Sequence, residues 1–395
     1  MRTGRGPARP RLVGVSTSAE ISGVRLPLRP GLEGLEPYGA PQLDVPVRLN
    51  VNENPHPPSD AVVADIADAV AKAARGLNRY PDRDFDELRA ELAEYLRVES
   101  GVTVAGKQIW AANGSNEVML HLLLAYGGPG RVVLSFPPTY SMYPEYARDT
   151  LTEWVTGRRE EDFTLDAGHA VAQIAEHRPS VILLASPNNP TGTALSLETV
   201  DAICVAARDG GPAGPDGEPT AAVVVVDEAY GEFRREGTPS ALTLLERHPH
   251  LAVARTMSKA FGMAGLRLGY LAGDPRIVNH LRVVRLPYHL SAVTQAAALA
   301  ALRHRGELMT QVASLRAERD ALVAWLRERG LRVADSDANF VLTGVFPDRH
   351  QVWNGLLERG VLVREVGPDG WLRVSVGTPQ EMDAFKAALE EVAGK

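Results

Sequence analysis

Four short runs constrain this chain more than anything else in it: residues 131–136 (RVVLSF), 181–186 (VILLAS), 221–226 (AAVVVV) and 251–254 (LAVA). They are largely apolar and rich in β-branched residues, without the polar–apolar alternation of a half-exposed strand. Strands buried on both faces read this way, and helical stretches lie between several of them. A mostly parallel sheet covered by helices on both sides is the architecture that hides such strands. A further strand is expected near 109–112 (IWAA), leading through the turn 113–116 (NGSN) into an apolar helix from Glu117. In open sheets of this kind, ligands bind outside the carboxyl ends of the strands.

Around this sheet the pattern changes twice. Ser59 is placed to cap a helix carrying Val62, Val63, Ile66 and Val70, which residues 77–82 (LNRYPD) break. A second amphipathic helix presents Phe85, Leu88, Leu92 and Leu96. Residues 48–55 (RLNVNENP) are crowded with amides and suit a loop, and residues 209–220 suit a solvent loop without chemistry. Beyond a long helical region at 291–329, strands are expected at 339–343, 361–364 and 371–376. Helices at 351–359 and 379–392 complete a smaller α+β region.

Composition excludes several functions. With 45% hydrophobic and 23% charged residues the chain is ordinary for a globular protein, and a net charge of −7 gives it no bulk attraction for nucleic acid or acidic membranes. An anionic ligand must therefore be drawn by local arginines. The single cysteine, Cys204, rules out an intrachain disulfide framework and fits a reducing compartment. It lies with Val200 and Ile203 in an amphipathic segment and is expected in the core. No run approaches the ~18 apolar residues of a membrane span. Residues 1–25 lack the apolar stretch of a secretory signal and are expected to form a flexible tail. A cytoplasmic protein with no metal is expected.

The residues that follow the strands carry chemistry. Lys259 lies among small residues just past the 251–254 run, where loss of water lowers an amine's pKa toward its nucleophilic form. Thr256, Ser258 and Arg267 beside it are suited to gripping a phosphate. Asp227 follows four valines, and an acid there is costly to bury unless paired; a protonated pyridine nitrogen is a fitting partner. Tyr230 and Asn189 can hydrogen-bond a ring oxygen, and Tyr140 can stack on a ring face. Taken singly, Lys259 suits a surface position, Asp227 a helix N-cap, Asn189 a turn, and the tyrosines a half-buried core. Together at successive strand ends they suit a lysine that forms a Schiff base with pyridoxal phosphate.

Eleven segments carry a resemblance to a known family. They are 37–42 (PYGAPQ), 48–55, 77–82, 111–117 (AANGSNE), 137–142 (PPTYSM), 186–192 (SPNNPTG), 226–233 (VDEAYGEF), 255–271 (RTMSKAFGMAGLRLGYL), 285–291 (RLPYHLS), 336–342 (SDANFVL) and 372–378 (LRVSVGT). In this order they resemble the fold-type I pyridoxal-phosphate aminotransferases, and specifically the histidinol-phosphate branch of actinobacterial kind. The resemblance implies an α/β fold: a large domain with a mostly parallel seven-stranded sheet covered by helices, plus a smaller α+β carboxyl-terminal domain. Its implied boundaries are a tail at 1–25, an arm at 26–58 packing on the small domain and a partner subunit, a large cofactor-binding domain at 59–290 and a small domain at 291–395.

The resemblance also implies roles. Lys259 becomes the Schiff-base lysine and proton shuttle, Asp227 the partner of the pyridinium nitrogen, and Asn189 and Tyr230 the partners of the ring oxygen. Ser115, Asn116, Ser258 and Arg267 would hold the cofactor phosphate, with Thr256 and Tyr140 also at the cofactor. Tyr80 would reach the phosphate in the partner subunit of a homodimer. Arg373 would meet the substrate's acidic group, and Tyr38, Asn54 and Arg364 would line the pocket. The implied reaction exchanges an amino group between L-histidinol phosphate and 2-oxoglutarate, giving imidazole-acetol phosphate and glutamate. Aromatic amino acid aminotransfer and phosphothreonine decarboxylation are alternatives on the same cofactor site, and a non-catalytic regulatory role is a third. The basic amino-terminal extension departs from the family pattern.

Overall fold

The structure is a computed structural model that describes residues 26–394; the expected tail at 1–25 lies outside the described residues. Contacts divide the chain into one unit ending at Ala40 and another beginning at Pro41. Residues 26–40 carry short-range turns, such as Leu32 N to Arg29 O at 3.2 Å.

The second unit begins with β1 (Val47–Arg48), α1 (Asp60–Ala74), α2 (Asp86–Ser100), β2 (Ile109–Ala112) and α3 (Ser115–Tyr126). There follow β3 (Val132–Ser135), α4 (Tyr143–Asp149), β4 (Glu153–Thr156), α5 (Ala167–His177), β5 (Val181–Ala185), α6 (Leu197–Ala207) and β6 (Val223–Asp227). Next come β7 (Leu251–Thr256), β8 (Gly269–Gly273), α7 (Pro275–Val284), α8 (Ala292–Arg303) and α9 (Arg305–Glu328). The carboxyl-terminal elements are β9 (Arg332–Val333), β10 (Phe340–Gly344), α10 (Arg349–Glu358), β11 (Val361–Leu362), β12 (Leu372–Ser375) and α11 (Pro379–Ala393). Ser59 caps α1 by accepting from Val62 N, as its position in the sequence predicts.

The large sheet has the order β2-β8-β7-β6-β5-β3-β4. Its pairings are parallel except that β8 runs antiparallel to both β2 and β7. β5, β6 and β7 are buried at every residue, which is why their sequences are apolar until Asp227 at the end of β6 and Arg255 and Thr256 at the end of β7. β4 and β8 were not anticipated. β4 is a partly exposed edge strand with mixed composition, and β8 is hidden inside the motif read for phosphate binding. Two further differences are local. α3 starts at Ser115 instead of Glu117, and the 209–220 segment closes on itself through an Ala213–Pro219 bridge.

β1 and β11 pair in parallel, and β12-β10-β9 form an antiparallel sheet. One hydrophobic core surrounds the large sheet and includes Ala298, Ala301, Leu302 and Leu308. A second gathers Val312, Leu322, Phe340, Val374 and Phe385, together with Leu49 and Tyr230. The change from one core to the other falls within α9.

Candidate active site

Parallel strands deliver their carboxyl ends to one edge of the sheet, and β8, running the other way, delivers its amino end there. Thus the segments after β2, β3, β5, β6 and β7 meet Arg267, which lies two residues before β8. The continuous strands force this convergence, so the polar side chains at their ends share a crevice.

At one side of this edge is an anion cradle. Gly114, at φ 85°, turns the chain from β2 into α3, whose first N–H groups have no intrahelical acceptor. A Cβ on Gly114 would lie 2.6 Å from Arg267 Nη2, and one on Gly269 would collide with the Ser115 backbone nitrogen. Only glycines let the arginine and β8 come this close to the helix start. Arg267 Nη1 donates to Ser258 Oγ at 3.3 Å, and Thr256 Oγ1 lies 3.0 Å from the same hydroxyl. Ser115, Ser258, Thr256 and Arg267 are therefore together. Asn116 joins them through Tyr140, whose hydroxyl donates to Asn116 Oδ1 at 3.5 Å.

Beyond the cradle lies Asp227, the last residue of β6 and buried. Its Oδ2 accepts from Tyr143 Oη at 3.0 Å and its Oδ1 from Ala229 N at 3.1 Å. Burial outweighs these two bonds and pushes the carboxyl up to about 6. Neither partner is a cation. Tyr143 packs edge-on against Tyr140, with ring centroids 5.6 Å apart.

Lys259, past the end of β7, donates from Nζ to Val51 O at 2.9 Å and lies 5.9 Å from the centre of the Tyr230 ring. Burial, helped by Arg373 and Arg267 against the opposing pull of Glu53, lowers its amine to about 8. The Tyr230 hydroxyl accepts from Asn52 Nδ2 at 3.0 Å and from Asn189 Nδ2 at 3.5 Å. Arg373, on β12, donates from Nη1 to Asn189 Oδ1 at 2.6 Å and from Nη2 to Asn50 O at 2.7 Å. Lys259, Tyr230, Asn189 and Arg373 thus form one connected group that draws on both hydrophobic cores.

The other expected pocket residues fall less centrally. Asn54 Nδ2 donates to Ala260 O at 3.3 Å, next to Lys259, and Arg364 pairs with Arg373 through the backbone. Tyr80 is 80% exposed and stacks on Tyr288 at 4.4 Å, so within one chain it does not join the group. Tyr38 belongs to the separate first unit. A cleft of about 550 Å³ opens beside Tyr140, lined also by Pro137, Pro138, Pro190 and Gly367. Its walls do not include Lys259.

Sequence reasoning missed Asn50, Asn52 and Tyr143. The amide-rich segment 48–55 suits a loop, yet it runs between the second core and the Lys259 amine. Asn52, at φ 56°, is held there by Ser375 and Asn339. Amide density was the available signal. For Tyr143 it was the spacing of three residues from Tyr140.

Comparison with known proteins agrees with this geometry. The model of the family "Aminotransferase class I and II" matches residues 45–389. The histidinol-phosphate aminotransferase of Thermobifida fusca is 60% identical over 370 residues, covering 94% of this chain and 96% of that one. Histidinol-phosphate aminotransferase 3 of Burkholderia lata is 59% identical, covering 93% and 96%. Among solved structures, the histidinol-phosphate aminotransferase of Sinorhizobium meliloti in complex with pyridoxal-5'-phosphate superposes with a TM-score of 0.76 at 24% identity, covering 88% and 91%; at that identity it speaks for the fold alone.

Proposed function

This chain belongs to the class I and II aminotransferases and, within them, to the histidinol-phosphate branch; we propose that it catalyses the reversible transfer of an amino group between L-histidinol phosphate and 2-oxoglutarate in histidine biosynthesis. The observation that carries this reading is the half-buried Lys259 amine, lowered to about 8, in the same site as the buried Asp227 carboxyl and two arginines.

The residues present fit pyridoxal 5'-phosphate. Asp227 is buried, has no cation beside it among the described residues, and would hold a proton on the ring nitrogen. The start of α3, Ser258 and Arg267 would hold the phosphate, while Asn189 and Tyr230 would hydrogen-bond the ring oxygen. Tyr140 would face the ring. Bound there, the cofactor supplies a sink for the electrons released at the substrate Cα.

The chain's own residues do the rest. Lys259 would move the proton at Cα, with a basicity near neutral pH that suits both removal and return. Arg373 would take the acidic group of either substrate, phosphate or carboxylate, since a guanidinium fork serves both. Asn189 and the Asn50 carbonyl fix that fork before substrate arrives. Asn52 orients the Tyr230 hydroxyl. Asn54 and Arg364 would complete the pocket.

The same proposal includes a homodimer, in which Tyr80 reaches the cofactor phosphate of the partner subunit, and a cytoplasmic location. An exposed tyrosine aligned by Tyr288 supports the first, and the single cysteine the second. It also includes a large domain at 59–290, a small domain at 291–395 and an arm at 26–58. The presence of two hydrophobic cores supports a two-part body.

The test is a steady-state assay of the purified protein with histidinol phosphate and 2-oxoglutarate, run beside phenylalanine. A kcat/KM preference of at least ~10-fold for the phosphorylated substrate is expected, because a phosphate offers the site's arginines more charge and more acceptor oxygens than the carboxylate of phenylalanine does. A preference for phenylalanine would overturn the substrate assignment and leave the cofactor site intact.

A further inference from the structure

Three ligand-bearing side chains meet at the edge of the sheet opposite Lys259. Cys204 lies toward the carboxyl end of α6, and His248 and His250 lie just before the amino end of β7. One ligand atom from each of the three lies within 4.8 Å of the others. Cys204 is 0% and His248 3% exposed. Transamination makes no use of any of them.

Both imidazoles are anchored through Nε2. His248 Nε2 meets Asp201 Oδ1 at 2.7 Å, and His250 Nε2 meets the Cys204 carbonyl oxygen at 2.8 Å. Metal-binding histidines are oriented in this way, one ring nitrogen held by a carboxylate or carbonyl and the other left to the metal. An Nε2 that donates leaves Nδ1 with a lone pair, and His248 Nδ1 is buried without a hydrogen-bond partner among the described residues. A buried polar atom in that condition calls for an explanation, because nearly all such atoms are satisfied.

We propose that Cys204, His248 and His250 form a zinc-binding site, with Sγ and the two Nδ1 atoms as ligands and water in the fourth position. One thiolate and two imidazoles are a borderline-soft set, suited to zinc and poorly suited to magnesium or calcium. The Cys204 side chain is buried, and its sulfur must give up a proton to bind a metal. Zinc replaces that proton, which leaves to solvent, and one proton is released for each ion bound. The ion would tie α6 to the entry of β7, the strand that leads to Lys259. The sequence half conceals the site: His248 and His250 stand two residues apart, but 43 residues separate Cys204 from His248.

The test uses cofactor-loaded protein stripped of metal by dialysis against a chelator, then incubated with excess zinc and passed through gel filtration. Metal per chain is counted by mass spectrometry for the wild type, Cys204→Ser and His250→Ala, with thermal unfolding as the check on folding. One zinc per chain in the wild type and almost none in either variant is expected. A cobalt(II) difference spectrum should carry a thiolate-to-metal charge-transfer band in the wild type. The half-buried His250 keeps the comparison usable should Cys204→Ser fail to fold. Failure of the wild type to retain zinc would overturn the site, as would equal retention by a folded variant or a cobalt spectrum without the thiolate band.

Discussion

Asp227 and Glu228 are neighbours in sequence and both are buried, yet their carboxyls shift in opposite directions. Burial raises Asp227 to about 6, against two neutral hydrogen bonds. Burial also works to raise Glu228, but Arg255 and Arg234 outweigh it and hold the group below its ordinary value. Glu228 Oε2 takes Arg234 Nη1 at 2.9 Å, Arg255 Nε at 2.9 Å and Ser240 Oγ at 2.7 Å, while Oε1 takes Ala241 N at 2.8 Å. Arg255 extends the network to Glu232 and Glu99. One carboxyl has its charge met by the fold, and the other has not. A satisfied network fixes structure, whereas a buried acid without a cation is suited to meet one on a ligand.

If that contrast is right, substitutions on the two sides of β6 should separate activity from stability. The largest effect is expected at Lys259. Lys259→Ala should lower kcat by ~10³-fold or more, the scale of a lost proton-transfer group, and leave the chain folded. A large fall in its unfolding temperature would mean that the amine is structural. The next effect lies on the other side. Arg255→Met should cost about 3–5 kcal/mol in denaturant unfolding, because it leaves Glu228 and Glu232 buried with less compensation. Loss of activity without loss of stability there would undo the comparison.

Asp227→Asn should do the reverse of Arg255→Met and stabilise the cofactor-free chain while lowering activity. The sign follows from the direction of the shift. A folded pKa raised from 3.8 to about 6 means that the folded state binds more protons across that window, so stability falls as pH rises through it. The penalty is complete above about pH 6, absent below about 3.8, and worth roughly 3 kcal/mol. Asparagine carries no such penalty. The unfolding free energies of the two proteins should therefore diverge between pH 4 and 6 and run parallel above it.

How much of this was legible depended on how local each signal was. β5, β6 and β7 were readable because burial on both faces keeps each run apolar up to its last one or two residues, and Asp227 was readable because it ends such a run. β8 was not, because Gly269-Tyr270-Leu271 continues a motif whose arginine and small residues already had a reading. The network around Glu228 was equally hidden. Its members come from α2, β7 and the turns after β6, and nothing in sequence spacing ties Glu99 to Arg255. Asn52 reads in the sequence only as part of a loop, since its partners Tyr230, Ser375 and Asn339 lie 178 to 323 residues away. Local chemistry reveals what a strand end offers, and only the fold reveals what meets it.

Tyr143 gives the smallest and sharpest test of the comparison. Its hydroxyl is the one side chain bonded to Asp227 Oδ2, and that bond lowers the carboxyl against the effect of burial. Tyr143→Phe keeps the ring and its packing against Tyr140, so it removes one hydrogen bond and little else. A bond of this kind is worth about 1 kcal/mol net, and more where it meets a charge. The Asp227 carboxyl should then rise further above 6, by roughly one pKa unit. The measurement is the unfolding free energy of Tyr143→Phe against Tyr143→Phe/Asp227→Asn from pH 4 to 8 in cofactor-free protein. The point at which the two curves become parallel should move to higher pH than for the pair with Tyr143 intact. An unmoved point would mean that Tyr143 contributes nothing to the charge on Asp227, and that burial alone separates this carboxyl from its neighbour.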